Sequence, residues 1–308
     1  MVNSKGAENP VMGHPYHTEG ISAQAYAAGI KTKLSTKAWV LKLLREARGS
    51  VVSGETIASL AGCSRVAVWK AAEALREAGY AIESCGKEGY RLVTNSKGEP
   101  FHAASYAMED FLYPWEFEEL EEEVIYYKET DSTMNRAREL AARRIPGPAI
   151  IVAETQTASK AQDPGSWHAG AGGLFCTLLE WPALPVSLYH HLIQEASEAL
   201  QKAIFDEMGI EPAVPAPHHL MVQGKKLAGL FWEFFAELDH ITWFSLGVGV
   251  HVNEPFVGPE EISCYQLTGR FHSRRNLLLR FLRYYKQTKQ EGGFYGRNES
   301  AVGIHGTI

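Results

Sequence analysis

The sequence has no apolar run long enough to cross a bilayer, and Met1 to Ile30 carries neither the basic start nor the apolar core of a secretory signal. Both absences argue against a membrane partner and lead us to expect a cytoplasmic chain. Cysteine is scarce: Cys63, Cys85, Cys176 and Cys264 stand far apart with no C-x-x-C pair, so neither a zinc ribbon nor a disulfide framework is indicated. The low hydrophobicity and high charge of disordered chains are missing too, because 45% hydrophobic and 21% charged residues describe an ordinary globular protein. With 308 residues, one small and one larger domain can each bury a core.

What is present is an uneven charge. The chain carries −6 overall, yet Lys31 to Asn95 holds eleven basic residues against six acidic ones, a local +5 that leaves −11 for the remainder. A basic block on an acidic protein is the electrostatic footprint of a nucleic-acid partner, although a solvated basic face would read the same way.

Residues 1–36 are rich in Gly, Ala, Ser and His without periodicity and read as a poorly ordered arm. Three helices are predicted next: Ala38 to Ala47 with Trp39, Leu41, Leu43 and Leu44 as apolar contacts, Gly54 to Ala61 capped by Ser53, and Arg65 to Ala78 capped by Ser64. In the third, Val66, Trp69 or Lys70, Ala74 and Leu75 fall at helical spacing, and Arg65, Lys70 and Arg76 are expected to be exposed. Two short helices joined by Gly62-Cys63 make a helix-turn-helix, and strands at Tyr80–Ser84 and Tyr90–Val93 around Gly86-Lys87-Glu88-Gly89 make a wing. Residues 37–95 thus form a winged helix-turn-helix whose candidate contacts to double-stranded DNA are Arg65, Lys70, Arg76, Lys87 and Arg91. A three-helix packing module that touches no DNA fits the same pattern.

Residues 96–123 read as a linker, polar at Asn95 to Pro100 and with a solvated acidic helix at Glu116 to Glu123. From 124 to 308 the reading is a mixed α/β (α+β) domain: strands at Val124–Tyr127 and Ala149–Ala153 flank a helix through Asn135–Ala142. An amphipathic helix at Leu188–Met208, strands at Leu227–Phe235 and Ile241–Val250, and a helix at Arg274–Gln290 follow.

The first domain, closed by G-K-x-G-Y, resembles the N-terminal domain of the bifunctional biotin-protein ligase and biotin operon repressor family. Four later segments resemble the biotin/lipoate ligase-like mixed-sheet domain of the same family. Thr130-Asp131-Ser132-Thr133-Met134-Asn135 is similar to its acyl-holding D-S-T-N segment, and Ala153-Glu154-Thr155-Gln156-Thr157-Ala158 to its A-E-x-Q-x-A strand. Lys226-Leu227-Ala228-Gly229-Leu230 is similar to K-L-A-G-I, and Gly247 to Asn253 to G-x-G-x-N-x-N with His251 in place of one Asn. The resemblance implies a catalytic Lys226 and a ligand site made by Ser132, Thr133, Gln156, Lys160, Trp167, Gly229 and Asn253. Biotin or a biotin-like carboxylate is the small molecule it implies, with a carrier protein as an acceptor and a homodimer as the assembly.

Two family segments are not reproduced. The G-R-G-R-R-G-R loop reads Ser159-Lys160-Ala161-Gln162-Asp163-Pro164-Gly165 before Ser166-Trp167, and K-W-P-N-D reads Pro215-Ala216-Pro217-His218-His219. In the first, three of the four arginines have no cationic successor and one has become Lys160; the second loses a lysine and the Asn-Asp pair that serves nucleotide and magnesium. Attack on a phosphate needs preorganised positive charge, so use of ATP and magnesium is in doubt. The small β-barrel that closes repressor-type ligases is expected to be absent after the helix at Arg274–Gln290. Weak metal candidates are His218, His219 and His251, with His168 nearby; equally, they serve as neutral hydrogen-bonding groups for another ligand. Three readings stand open: a ligand-sensing DNA-binding regulator with impaired adenylation, an active acyl-protein ligase with a diverged ATP site, and a histidine-based metal protein.

Overall fold

The structure is a computed structural model and describes residues 34–94, 110–145, 147–161, 167–182 and 184–291. The expected arm up to residue 33, the polar linker at Asn95 to Pro100, the charge at Asp163 and the tail after residue 291 lie outside the described residues.

The first unit holds α1 (Thr36–Glu46), α2 (Gly54–Ala61), α3 (Arg65–Glu77), β1 (Ile82–Ser84) and β2 (Tyr90–Leu92). Ser35, Ser53 and Ser64 start the helices, each side chain accepting from a first-turn amide at 3.0–3.2 Å; such a cap contributes about 1 kcal/mol. Val40, Leu41 and Leu44 of α1 meet Ile57 of α2 and Val68, Ala71 and Leu75 of α3 in one core. The apolar contacts therefore include Val40 rather than Trp39, and on α3 Leu75 is buried as expected whereas Val66 and Trp69 are not. Val66 and Trp69 stand 61% and 52% exposed, because a helix turning 3.6 residues per turn places positions 66, 69 and 70 opposite 68, 71, 72 and 75.

The wing is tied down by its glycines. Gly86 and Gly89 have φ of +62° and +131°, and a Cβ on Gly89 would lie 2.1 Å from the carbonyl oxygen of Val52. That carbonyl accepts the Tyr90 amide at 2.9 Å, docking the hairpin on the start of α2.

The segment expected as a solvated linker helix at Glu116 to Glu123 is not an α-helix, and it is solvated only in part, with Glu119 and Glu121 exposed and Glu116, Phe117 and Glu122 buried. Only Pro114–Glu116 forms a single 3₁₀ turn, Leu112, Glu116 and Phe117 are buried, and Phe111 and Tyr113 bridge Tyr80 of the wing side to Tyr126 of the following sheet. The acidic composition that suggested a wet face is used instead for ion pairs to both neighbours, of Glu116 with Arg45 and Arg275 and of Glu122 with Lys286.

The second unit is an open seven-stranded sheet in the order β3-β4-β5-β9-β8-β7-β6, with β3 (Glu123–Thr130), β4 (Ala149–Gln156), β5 (Leu174–Glu180), β6 (Ala213–Ala216), β7 (His219–Val222), β8 (Lys225–Glu237) and β9 (His240–Val250). Only β3 and β4 are parallel, joined through α4 (Thr133–Ala142); all other pairs are antiparallel. Alternating residues divide the two faces. Val124, Tyr126, Ile150 and Val152 pack with α5 (Tyr189–Met208) and α7 (Arg274–Glu291), whereas Ile125 and Ile151 meet Ala137 and Ala141 of α4. A short α6 (Cys264–Thr268) follows β9. The sheet forms no closed barrel among the described residues. Strands β5 and β6 are not among those expected; β5 is buried on both faces from Leu174 to Leu179, Thr177 included, and lacks the period-2 signal.

Candidate functional site

The pocket forms where the middle of the sheet lacks side chains. Gly229 of β8 pairs with Gly249 of β9, which pairs in turn with Phe175 of β5, so two glycines lie side by side and leave a notch. The indole of Trp167 occupies it: a Cβ on Gly229 would come within 3.3 Å of the ring, and one on Gly249 within 3.0 Å of its Nε1. Gly247 makes the same allowance for Met134. These approaches account physically for the glycines of the K-L-A-G and G-x-G segments.

Ser132 caps α4 through its hydroxyl, which accepts from the Met134 amide at 3.3 Å. Thr133 donates from its amide and its hydroxyl to the side-chain oxygen of Gln156, at 2.8 and 3.0 Å, and accepts from Thr177 at 2.8 Å. Asp131 braces this turn from outside. Burial pushes its carboxyl up, but hydrogen bonds from Asn135, the Ser132 amide and Thr130 outweigh that and hold it below the usual carboxylate range. Lys226 is the second residue of β8, its backbone laced to the next loop by bonds to Glu260 and Ile262, and its ammonium lies 4.9 Å from the centre of the Trp167 ring.

Seven of the eight residues implied as catalytic or ligand-binding therefore line one pocket: Ser132, Thr133, Gln156, Lys160, Trp167, Lys226 and Gly229. Asn253 does not. Its amide donates to Asp110 and to the His272 carbonyl and accepts the His272 amide, anchoring the start of α7. Lys160 reaches the pocket but pairs with Glu233 at 3.3 Å, so the cation retained in the loop is partly neutralised from β8.

The pocket wall also includes Met134, Phe175, Cys176, Phe231 and Val248, which the sequence did not single out. Burial pushes the Cys176 thiol up to about 12, so it is an inert wall. Behind β4, Arg274 is buried with Asp110 and Glu154, each at 2.6 Å; burial opposes its charge, and the two carboxylates more than restore it. No periodicity marks such a residue, because its partners lie more than a hundred positions away.

The cavity left inside is about 40 Å³, whereas a drug-sized ligand fills roughly 300 Å³ or more. On the far side of Trp167 lies a wider, open cavity of about 610 Å³, whose ionisable walls are Glu129, Glu260, Glu261 and His168. No arginine lines either cavity among the described residues.

The candidate histidines fall in two pairs, His218 with His219 and His168 with His251, the latter 6.5 Å apart between ring centres. The rings of His218 and His219 lie 4.3 Å from each other, with His218 in the turn before β7 and His219 opening the strand. His251 is fully buried, stacked 4.5 Å from Trp167 and bonded to Glu254 at 2.9 Å. Among the described residues no three His, Cys, Asp or Glu side chains are placed to hold a metal ion.

In the first unit, Arg65, Lys70 and Lys87 are exposed. Arg76 is not the open contact expected: its Nε donates to the Ile82 carbonyl at 2.9 Å and its guanidinium pairs with Glu73, so it fastens α3 to the wing. Arg91 pairs with Glu83 across the hairpin at 2.7 Å and stays half exposed.

Residues 38–91 match the family model described as HTH domain. The chain is 30% identical over 225 residues to "Bifunctional ligase/repressor BirA" of Bacillus subtilis, covering 72% of this chain and 67% of that protein. The chain belongs to the bifunctional ligase/repressor family. The Bacillus spizizenii member is also 30% identical, over 70% of this chain and 64% of its own length, so the match spans about two thirds of these relatives. Among solved structures, "Biotin protein ligase from Aquifex aeolicus in complex with biotin and ATP" is similar at 23% identity and a TM-score of 0.46, covering 55% of this chain and 70% of that one.

Proposed function

We propose that this member of the bifunctional ligase/repressor family is a DNA-binding transcriptional regulator whose pocket senses a small carboxylate, with biotin as the reference ligand, and adenylates it poorly or not at all. The carrying observation is a division within the site. Ser132, Thr133, Gln156 and Lys226 converge on one pocket, suiting a neutral amide-like head group and a carboxylate. The nucleotide side has no equivalent set. Lys160 is paired with Glu233, and the adjoining cavity is walled by three glutamates, which repel a triphosphate. The described residues thus do not fit ATP and magnesium, and no step is routed through them.

In this reading Lys226 holds the ligand carboxylate by a charge-assisted bond, the strand glycines admit the ligand in place of the indole, and ligand binding favours a dimer that sets two recognition helices on two half-sites. Double-stranded DNA and the effector are the partners.

The test is pyrophosphate release and labelled-biotin transfer to a carrier domain, run with the Lys226→Ala variant alongside. Little or no turnover, together with biotin binding that Lys226→Ala weakens, is expected. Robust turnover lost in the variant would establish the second reading, an active acyl-protein ligase acting on a carrier-protein lysine, which the retained Lys226 favours. Strong ATP binding without any acyl ligand would reverse the assignment of the pocket.

A further inference from the structure

The face of α3 that points away from the core is partly apolar. A solvated helix places charges opposite its buried stripe, yet here Val66 and Trp69 stand in that position, 61% and 52% exposed, with Lys70 beside them and Arg65 at the first helical position. Packing does not require them, since Val68, Ala71, Ala72 and Leu75 fill the core side. The bases of this face and Lys87 of the wing carry the positive charge, and Glu73, the acidic residue one turn on, is paired with Arg76. An apolar pair framed by cations on the second helix of a helix-turn-helix has one chemically matched surface, the major groove of a thymine-containing duplex. There the phosphates take the cations, and the C5-methyl of thymine is the apolar group displayed by a base edge.

We propose that Val66 and Trp69 read thymine methyl groups and set sequence specificity, while Arg65, Lys70 and Lys87 hold phosphates. This rests on the DNA-binding reading above and adds to it which residues discriminate bases. Burying one methyl contributes enough free energy for about a fourfold change in affinity. A wide indole is suited to cover one methyl and the shorter valine another, one turn nearer the start of the helix.

The experiment uses the full chain, with and without biotin, and duplexes selected from a random library for tightest binding. Each thymine of the selected duplex is replaced in turn by deoxyuridine, which removes the methyl and keeps every hydrogen-bonding group. At two or three positions the replacement is expected to weaken binding about fourfold each in the native chain, and hardly at all in Trp69→Ser or Val66→Ser. Because both side chains are exposed, these variants should keep the native thermal midpoint. Lys70→Ala should instead lower affinity for every duplex and flatten the salt dependence.

Uniform tolerance of deoxyuridine with strong duplex binding overturns the methyl reading and leaves DNA binding standing. Failure to select any duplex overturns both. Trp69→Ser that keeps duplex affinity but dissociates an oligomer shows the face to be a protein contact, and the proposal falls.

Discussion

Both carboxylate oxygens of Glu116 hold the guanidinium of Arg45, at 2.8 and 2.9 Å, joining the first helix of the winged unit to the segment that leads into the sheet. The same carboxylate accepts from the Tyr80 hydroxyl and pairs with Arg275 of α7 at 2.8 Å. A buried carboxylate thus clamps the two units through three partners.

Removing that charge leaves two guanidinium groups facing a neutral amide, and breaking a buried pair from one side costs about 3–5 kcal/mol. Glu116→Gln should lower the urea midpoint accordingly. Burial pushes the Glu116 carboxyl up, but Arg45, Arg275 and Tyr80 outweigh it and hold it below the usual carboxylate range. A carboxyl depressed on folding stabilises the protein above its unfolded value and loses that contribution as the pH falls through the folded value. The native chain should therefore lose stability below the ordinary carboxylate range more steeply than the variant; parallel pH profiles would refute the clamp.

Lys226→Ala should weaken biotin binding about 10- to 100-fold, the range for a hydrogen bond to a charged group. Biotin amide, which has no carboxylate, should bind the native chain and the variant with nearly equal affinity. Calorimetry that finds acid and amide equally affected by the substitution would remove Lys226 from the carboxylate.

The indole of Trp167 fills the notch over Gly229 and Gly249, leaving about 40 Å³. A ligand of biotin's size enters only if that ring moves. Its fluorescence should change on biotin addition, and the change should vanish in Trp167→Phe. Biotin binding with unchanged emission would place the ligand elsewhere.

Arg76→Ala should act on stability rather than on DNA. Its bond to the Ile82 carbonyl holds the wing against α3, while the pair with Glu73 stays within α3, and losing both should cost about 1–3 kcal/mol. Lys70→Ala should leave the thermal midpoint in place and reduce the slope of log affinity against log salt by about 0.9. The opposite pattern in the two variants would exchange their roles.

The sequence by itself determined the winged helix-turn-helix, because serine caps, helical spacing and the wing glycines are local signals that tertiary contacts did not override. The resemblance of the motifs also implied that Ser132, Thr133, Gln156, Lys226 and Gly229 share one site, and the sheet brings them together. Which face of α3 is buried was decided only by packing: Val66 and Val68 are chemically alike, and α1 and α2 meet the second and not the first. The same holds for Asn253, whose amide is taken by Asp110 and His272, for Arg76, fixed to the wing, and for Glu116, which composition placed in water and two distant arginines draw into the interior. Side chains of one type become contact, anchor or core according to partners on other elements, as far as 159 residues away for Glu116 and Arg275, and no local pattern records those partners.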